Sequence, residues 1–280
     1  MKTIEAQHIA NLVEEAIPRL AFELPADVLC ALQASRERET SLHAQTVLDH
    51  LIENAKIASE DQVPICQDTG TVWVCLEVGP DIEIPSDVFL GVNAAVARAY
   101  ERARLRKSLV RDSLLDRTNT GDNTPAFCEL YLSEKPGARL HLMLKGGGSD
   151  NASRVVMLTP ASGKQGIIDE LLTCVKEKAA NACAPVVIGI GVGASFDKVG
   201  GLAKRALMRK IDEVNENPEL AVLEEELCAL VNASGAGPGG LGGYATALAV
   251  KINTAPSHIA ALPLAINMGC SAMRRETIEL

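Results

Sequence analysis

The 280-residue chain has a formal net charge of −9, and 47% of its residues are hydrophobic while only 3% are aromatic. This length fits one large domain or two small ones, with a core built mainly from aliphatic side chains. The acidic balance, without a long basic run, argues against a nucleic-acid partner. No segment approaches the roughly 20 apolar residues of a membrane span, and the N-terminus lacks the apolar stretch of a signal peptide, so we expect a cytoplasmic protein.

Helices are predicted to dominate residues 1–60. Apolar residues recur at helical spacing from Ile4 to Ile17, and Ser41 is suited to cap a helix that ends near Ala58. The next predicted elements, in order, are the loop Val63–Gly70, the strand Thr71–Val78 and a helix from Asp87 to about Leu105 capped by Ser86.

Strands and helices alternate in the rest of the chain. After the loop at residues 112–125, the strands Ala126–Leu132 and Arg139–Lys145 are predicted to form a hairpin closed by Glu134–Gly137. The later predicted elements are the helix Lys164–Ala180, the strand Pro185–Gly191, the helices Asp197–Ile211 and Pro218–Val231, and strands at residues 246–252 and 258–267. This pattern predicts an α/β (mixed α+β) fold, with a helical segment at residues 1–60 and a mixed sheet flanked by helices at 61–280, in one continuous domain.

The eight cysteines occupy two kinds of position, and none is expected to form a disulfide in a reducing cytosol. Three lie at predicted element boundaries beside small or polar residues: Cys66, Cys183 and Cys270. The others lie within predicted helices or strands, where a thiol packs as a small apolar group: Cys30, Cys75, Cys128, Cys174 and Cys228. Because no C-x-x-C pair is present, the residues alone leave the boundary cysteines open as buried thiols, metal ligands or nucleophiles.

Three glycine-rich segments adjoin predicted strands: Lys145–Asn151, Gly189–Ser195 and Gly235–Gly243. Bare backbone can present several N–H groups to an anion, and three such segments in one chain favour a ligand site over ordinary turns. Gly189-x-Gly191-x-x-Ala194 also matches a form of the dinucleotide fingerprint, although the expected acidic residue after a second strand is missing. A dinucleotide-dependent oxidoreductase that uses the Gly189–Ala194 loop therefore remains an alternative.

Five stretches together resemble the α subunit of class I (iron–sulfur) fumarate hydratase, a family that includes the α subunit of L(+)-tartrate dehydratase. They are Pro64–Gly70, Asn119–Pro125, Lys145–Leu158, Ala182–Leu207 and Gly237–Arg275, and they run over nearly the whole chain. The resemblance implies a [4Fe–4S] cluster with Cys66, Cys183 and Cys270 as its ligands. The third glycine-rich segment departs from the family, because Tyr244 stands where we expect a basic residue.

The resemblance also implies an activity and roles for single residues. The activity is reversible hydration of a C4 dicarboxylate, with fumarate to L-malate as the first choice and L(+)-tartrate or mesaconate as alternatives. Asp68 and His258 are implied as catalytic residues, and Gln67, Arg106 and Gly146 as substrate-binding residues.

A partner chain is expected as well. Single-chain members of the family carry a further C-terminal domain, so the resemblance implies that a separate β subunit completes the active site, supplies the general base and makes the enzyme a hetero-oligomer. A non-catalytic scaffold or iron–sulfur carrier is a second alternative from another class, beside the dinucleotide-dependent oxidoreductase.

Overall fold

The computed structural model describes residues 2–280, which form two compact units. The first unit contains the chain up to Pro25, Ile57–Gly147 and Arg274–Leu280. The second contains Ala26–Lys56 and Gly148–Met273. Each unit is therefore assembled from segments that are far apart in the sequence.

A four-stranded mixed sheet forms the centre of the first unit. Its strands are β2 (Thr71–Val78), β4 (Phe127–Leu132), β5 (Ala138–Lys145) and β10 (Arg274–Glu279), in the spatial order β10–β5–β2–β4. Helices α1 (Ala6–Phe22) and α4 (Val92–Arg102) share one apolar core with the sheet. The short strands β1 (Lys2–Thr3) and β3 (Ile82–Glu83) pair in parallel.

The predicted hairpin of β4 and β5 is wrong, because β2 lies between them. β2 pairs in parallel with β4 and antiparallel with β5. The residues of β2 from Val72 to Leu76 are all buried, whereas five of the six residues of β4 are exposed. A strand that is buried on both faces occupies the middle of a sheet, and the more exposed strand is left at its edge.

The predicted helix from Asp87 to Leu105 is also shorter than expected. Residues 86–91 form turns, and α4 begins only after Gly91, whose φ of 88° lies in the left-handed region. Ser86 is therefore not its N-cap.

A second four-stranded sheet forms the centre of the second unit. Its strands are β6 (Arg154–Leu158), β7 (Val186–Ala194), β8 (Ala247–Ser257) and β9 (Leu262–Gly269), in the order β6–β9–β7–β8. Helices α6 (Gly163–Lys178) and α8 (Pro218–Ala233) share a core with one face of the sheet, and α7 (Phe196–Ala206) packs on the other. The remaining helices are α2 (Ala26–Arg38), α3 (Leu42–Asp61), which belongs to this unit as far as Lys56, and the short α5 (Gly147–Asn151).

The Gly189–Ala194 segment lies within β7 and is not a loop. A Cβ atom at Gly189 would lie 2.3 Å from the Ala203 carbonyl oxygen, and one at Gly191 would lie 2.4 Å from that of Val199. These glycines therefore let α7 approach the sheet, since alternate residues of a strand face the same side. The prediction of a loop at Gly189–Ala194 is therefore wrong: β7 continues to Ala194, and α7 begins directly after Ser195.

Glu39, at the end of α2, ties two segments of the second unit together. Its Oε1 accepts hydrogen bonds from the backbone N–H groups of Thr40 (3.0 Å) and Ser41 (3.2 Å). Its Oε2 accepts from those of Tyr244 (2.7 Å) and Ala245 (3.1 Å), directly after the third glycine-rich segment. Burial raises the pKa of Glu39, but these four donors outweigh it and hold the pKa below its ordinary value of 4.5.

We expect Glu39→Gln to lower the free energy of unfolding by about 1–3 kcal/mol, because the carboxamide nitrogen cannot accept from the N–H groups it would face. The contribution of Glu39 is fully present above pH 4.5, its ordinary pKa, and is lost as the pH falls through its lower folded-state pKa. Urea unfolding of both proteins across this range measures the effect, with Glu37→Gln on the exposed side of α2 as control. A difference that stays constant down to about pH 3 would contradict the assignment.

No helix among residues 2–280 is long and apolar enough to cross a membrane.

Candidate active site

The loop that carries Cys66, Gln67 and Asp68 is held in the first unit by buried polar groups. The N–H of Ile65 donates to the Ala21 carbonyl at the end of α1 (2.9 Å). The Tyr100 hydroxyl, on α4, shares its single proton between the carbonyl oxygens of Thr69 (3.1 Å) and Gly70 (3.2 Å). Burial raises the pKa of Tyr100 to about 12, so this hydroxyl remains a donor at neutral pH. The role of Tyr100 is not predictable from the sequence, since an apolar helix face gives no sign of such a contact.

Asn123 connects this loop to the segment that carries Arg106. The Asn123 side chain is fully buried; its Nδ2 donates to the Gly70 carbonyl (3.1 Å) and its Oδ1 accepts from the Ser108 N–H (2.7 Å). The Thr69 hydroxyl donates to the Arg106 carbonyl. Two distant segments of the chain are thus fixed side by side.

Asp68 lies at the centre of the resulting group of side chains. Its Oδ1 accepts from the Gly70 N–H (3.0 Å) and its Oδ2 from the Gly147 N–H (2.8 Å). The Arg106 Nη2 atom is 3.8 Å from Oδ1. All three partners are donors, so Asp68 faces this site as a hydrogen-bond acceptor.

Arg106 and Gly146 complete the group. The Arg106 Nη1 donates to Gln67 Oε1 (2.9 Å), while 53% of the Arg106 side chain remains exposed. Gly146 follows β5, and a Cβ atom there would lie 3.2 Å from Asp68 Oδ2, which is closer than most Cβ contacts. The structure therefore brings together four of the predicted site residues, namely Gln67, Asp68, Arg106 and Gly146.

The backbones of Cys183 and Cys270 lie close together in space within the second unit. Cys183 precedes β7 with a left-handed φ of 56°, and Cys270 directly follows β9. β7 and β9 run antiparallel, and the Ser271 N–H donates to the Cys183 carbonyl (3.1 Å). The start of one strand and the end of its neighbour thus present the two cysteines at the same end of the sheet.

His258 lies at the opposite end of these strands. It occupies the turn between β8 and β9, where its Nδ1 accepts from the Ala260 N–H (3.1 Å), so that a neutral ring carries its proton on Nε2. The eight residues of β9 separate this turn from Cys270, about 26 Å at 3.3 Å per residue. Within the second unit, the structure does not bring His258 to Cys183 and Cys270.

The eight thiols differ in ways that bear on metal binding. Cys66 and Cys270 are partly exposed and Cys183 is exposed, and all three lie outside helices and strands. The other five lie within α2, α6, α8, β2 and β4, as predicted. Burial raises the thiol pKa of Cys128, Cys174 and Cys228, and it raises that of Cys128 to about 11. A raised pKa disfavours the thiolate that a metal requires. Donor type and exposure therefore make the three boundary thiols compatible with an iron–sulfur group.

These three cysteines do not all belong to one unit. Cys66 is in the first, and Cys183 and Cys270 are in the second. Within residues 2–280, the His, Cys, Asp and Glu side chains form no group of three or more that could hold a metal ion. The three-cysteine ligand set stays a prediction.

Comparison with known proteins identifies the family. The family model described as "Fumarate hydratase (Fumerase)" matches residues 10–279. A protein of Methanocaldococcus jannaschii named "Putative L(+)-tartrate dehydratase subunit alpha" is 38% identical over 273 residues, which cover 95% of each chain. The "L(+)-tartrate dehydratase subunit alpha" of Escherichia coli K12 is 28% identical over 274 residues, covering 96% of this chain and 90% of the relative. The chain therefore belongs to the fumarate hydratase (Fumerase) family of hydro-lyases.

Proposed function

We propose that this chain is the α subunit of an iron–sulfur hydro-lyase that adds water to, and removes it from, a C4 dicarboxylate. The observation that carries the proposal is the convergence of Gln67, Asp68, Arg106 and Gly146, because a cation, a carboxylate and bare backbone meet there directly after Cys66. Such a group suits a small anionic substrate that must exchange a proton.

Cys66, Cys183 and Cys270 are the proposed ligands of a [4Fe–4S] cluster. When bound through three cysteines only, such a cluster supplies an iron with an open position that acts as a Lewis acid. The protein's own side chains would bind the dicarboxylate and hold it in one orientation.

The roles of the side chains follow from their contacts. The exposed guanidinium of Arg106 would pair with the substrate carboxylate remote from the cluster through two parallel hydrogen bonds. The hydrogen bond to Gln67 would fix the position of the Arg106 side chain. Asp68, fixed from both sides by backbone N–H groups, would orient the substrate or relay a proton.

Two parts of the sequence prediction concern groups outside the first unit. His258 has no role in this proposal, because the eight residues of β9 separate it from Cys270, a proposed cluster ligand. A β subunit would supply the general base, and the name "subunit alpha" borne by the relatives supports the existence of such a partner.

The preferred substrate is proposed to be fumarate, in equilibrium with L-malate. L(+)-tartrate is the second candidate, because the relatives carry the name of a tartrate dehydratase. Mesaconate is the third. Tartrate differs from malate by one hydroxyl and mesaconate differs from fumarate by one methyl group, and such a group changes affinity modestly unless the site pairs with it.

We expect the chain to turn over one of these substrates only together with its β partner. Without the partner's base, the rate should fall by about 10²–10⁴-fold. Anaerobic assays of the isolated chain, the partner and the mixture, on fumarate, L(+)-tartrate and mesaconate, measure this. Full turnover by the isolated chain would refute the two-subunit proposal, and an iron-loaded mixture inactive on all three would refute the function.

A further inference from the structure

Arg274 is a buried cation whose charge the first unit does not neutralise. It begins β10, four residues after Cys270 in the chain. Its side chain is 1% exposed, and its Nε and Nη1 atoms are buried without a hydrogen-bond partner among residues 2–280. Two of the three guanidinium nitrogen atoms have thus lost their hydration without gaining an acceptor, which disfavours the folded chain. The charge is therefore expected to meet an anion that the chain itself does not contain.

The guanidinium reaches the group of side chains around Asp68. Arg274 is paired with Leu144 of β5, two residues before Gly146. Its Nη2 lies 3.7 Å from the point where a Cβ of Gly146 would stand, and Asp68 Oδ2 lies 3.2 Å from the same point. The guanidinium and the carboxylate thus lie near the same point beside the Gly146 backbone, where a side chain would be crowded. The charge of Arg274 also acts on Tyr100, whose pKa burial raises and Arg274 lowers.

The neighbouring charged groups do not supply the missing anion. The Asp68 oxygens accept from the Gly70 and Gly147 N–H groups, and the ion pair of Asp68 is with Arg106. Arg106 is half exposed and hydrogen bonded to Gln67, so water and Gln67 already stabilise its charge. Of the two arginines near Gly146, Arg274 is the one that requires a counter-ion from outside.

We propose that Arg274 binds one carboxylate of the dicarboxylate substrate, over the bare backbone of Gly146. This inference rests on the proposed function, to which it adds a second carboxylate-binding residue beside Arg106. A carboxylate that pairs with the Nη1–Nη2 edge of the guanidinium would give Nη1, one of its two unpartnered atoms, an acceptor. A hydroxyl on the neighbouring carbon of the ligand would be able to donate to Asp68, which favours hydroxy-dicarboxylates over dicarboxylates that lack the hydroxyl.

The test is the variant Arg274→Met, which keeps the apolar stem of the side chain and removes the charge. Isothermal titration of the α–β complex with succinate, which has neither a hydroxyl nor a double bond to react, is compared with titration of its monoamide, succinamate. We expect wild type to prefer succinate, and Arg274→Met to bind succinate about 10- to 100-fold more weakly with little change for succinamate. Arg139→Met, which removes an arginine of the same sheet that pairs with Glu77 and Glu279, should leave both affinities unchanged.

A second measurement separates a binding role from a structural one. If the ligand supplies the anion, the ligand-free Arg274→Met protein should unfold at the same or a higher urea concentration than wild type, since an uncompensated buried charge has been removed. A lower midpoint together with unchanged succinate affinity would overturn the inference, as would a wild type that does not distinguish the two ligands. Turnover assays on the same preparations test the proposed function separately from the role of Arg274. An inactive wild type contradicts the proposed function. An active Arg274→Met with normal succinate affinity contradicts only the carboxylate-binding role of Arg274.

Discussion

Cys66→Ser, Cys183→Ser and Cys270→Ser are each expected to reduce bound iron, acid-labile sulfide and hydro-lyase activity to background. A serine hydroxyl remains protonated at neutral pH and is a poor ligand for iron in a cluster, whereas a thiolate binds it well. Because all three cysteines lie outside helices and strands and are at least partly exposed, the replacement of sulfur by oxygen should leave the fold of the chain intact. Loss of iron without loss of folding would be the signature of a ligand.

Cys30→Ser and Cys174→Ser are the matched controls. Cys30 is exposed on α2, so its exposure resembles that of Cys183. Cys174 is buried on α6 and donates to the Ala152 carbonyl (3.3 Å), a contact that a hydroxyl can also make. Both variants should keep iron and activity. The measurements are iron and sulfide content, visible absorbance under anaerobic conditions, and urea unfolding of all five variants. Equal iron content in all five would contradict the assignment of Cys66, Cys183 and Cys270 as cluster ligands.

The elements whose bounds can be predicted most accurately from the sequence are those with a continuous run of buried apolar residues. Thr71–Val78 was predicted with its observed bounds, because an apolar run between a glycine-containing loop and Gly79 indicates a buried strand without ambiguity. β10 was missed, because Arg274, Arg275 and Glu276 carry charges that argue against a buried strand. Arg274, whose guanidinium is partly unsatisfied, is thus one of the three residues that made the strand unrecognisable from the sequence.

The candidate site was only partly predictable for a related reason. Cys66, Gln67 and Asp68 are neighbours in the chain, so their common location needed no knowledge of the fold. The contact of this loop with Gly147 depends on strand register, since β2 and β5 pair with Thr71 opposite Lys145. The wide separation of His258 from Cys270 depends on β9 being a full strand that runs away from the turn. Register and strand direction are long-range properties that local spacing does not encode.

Asp68→Asn is expected to lower kcat by about 10²–10⁴-fold, the usual contribution of a group that handles a proton. The amide keeps one acceptor oxygen, so only one of the hydrogen bonds from Gly70 and Gly147 is lost, and the loop should remain folded. The charge opposite Arg106 disappears as well, which frees this arginine to hold a substrate carboxylate more tightly. We therefore expect KM to stay the same or to fall while kcat collapses.

A purely structural Asp68 would give a different result. If its carboxylate served only to hold the loop against Gly147, Asp68→Asn would lower the urea midpoint and the iron content together with kcat, and Asp68→Glu would be equally damaging. With a role in proton transfer, iron content and folding should match those of Asp169→Asn, an exposed change on α6 that serves as the control. Steady-state kinetics, iron analysis and urea unfolding on the three variants distinguish the two roles. Only a role in proton transfer lowers kcat while iron content and the urea midpoint stay unchanged.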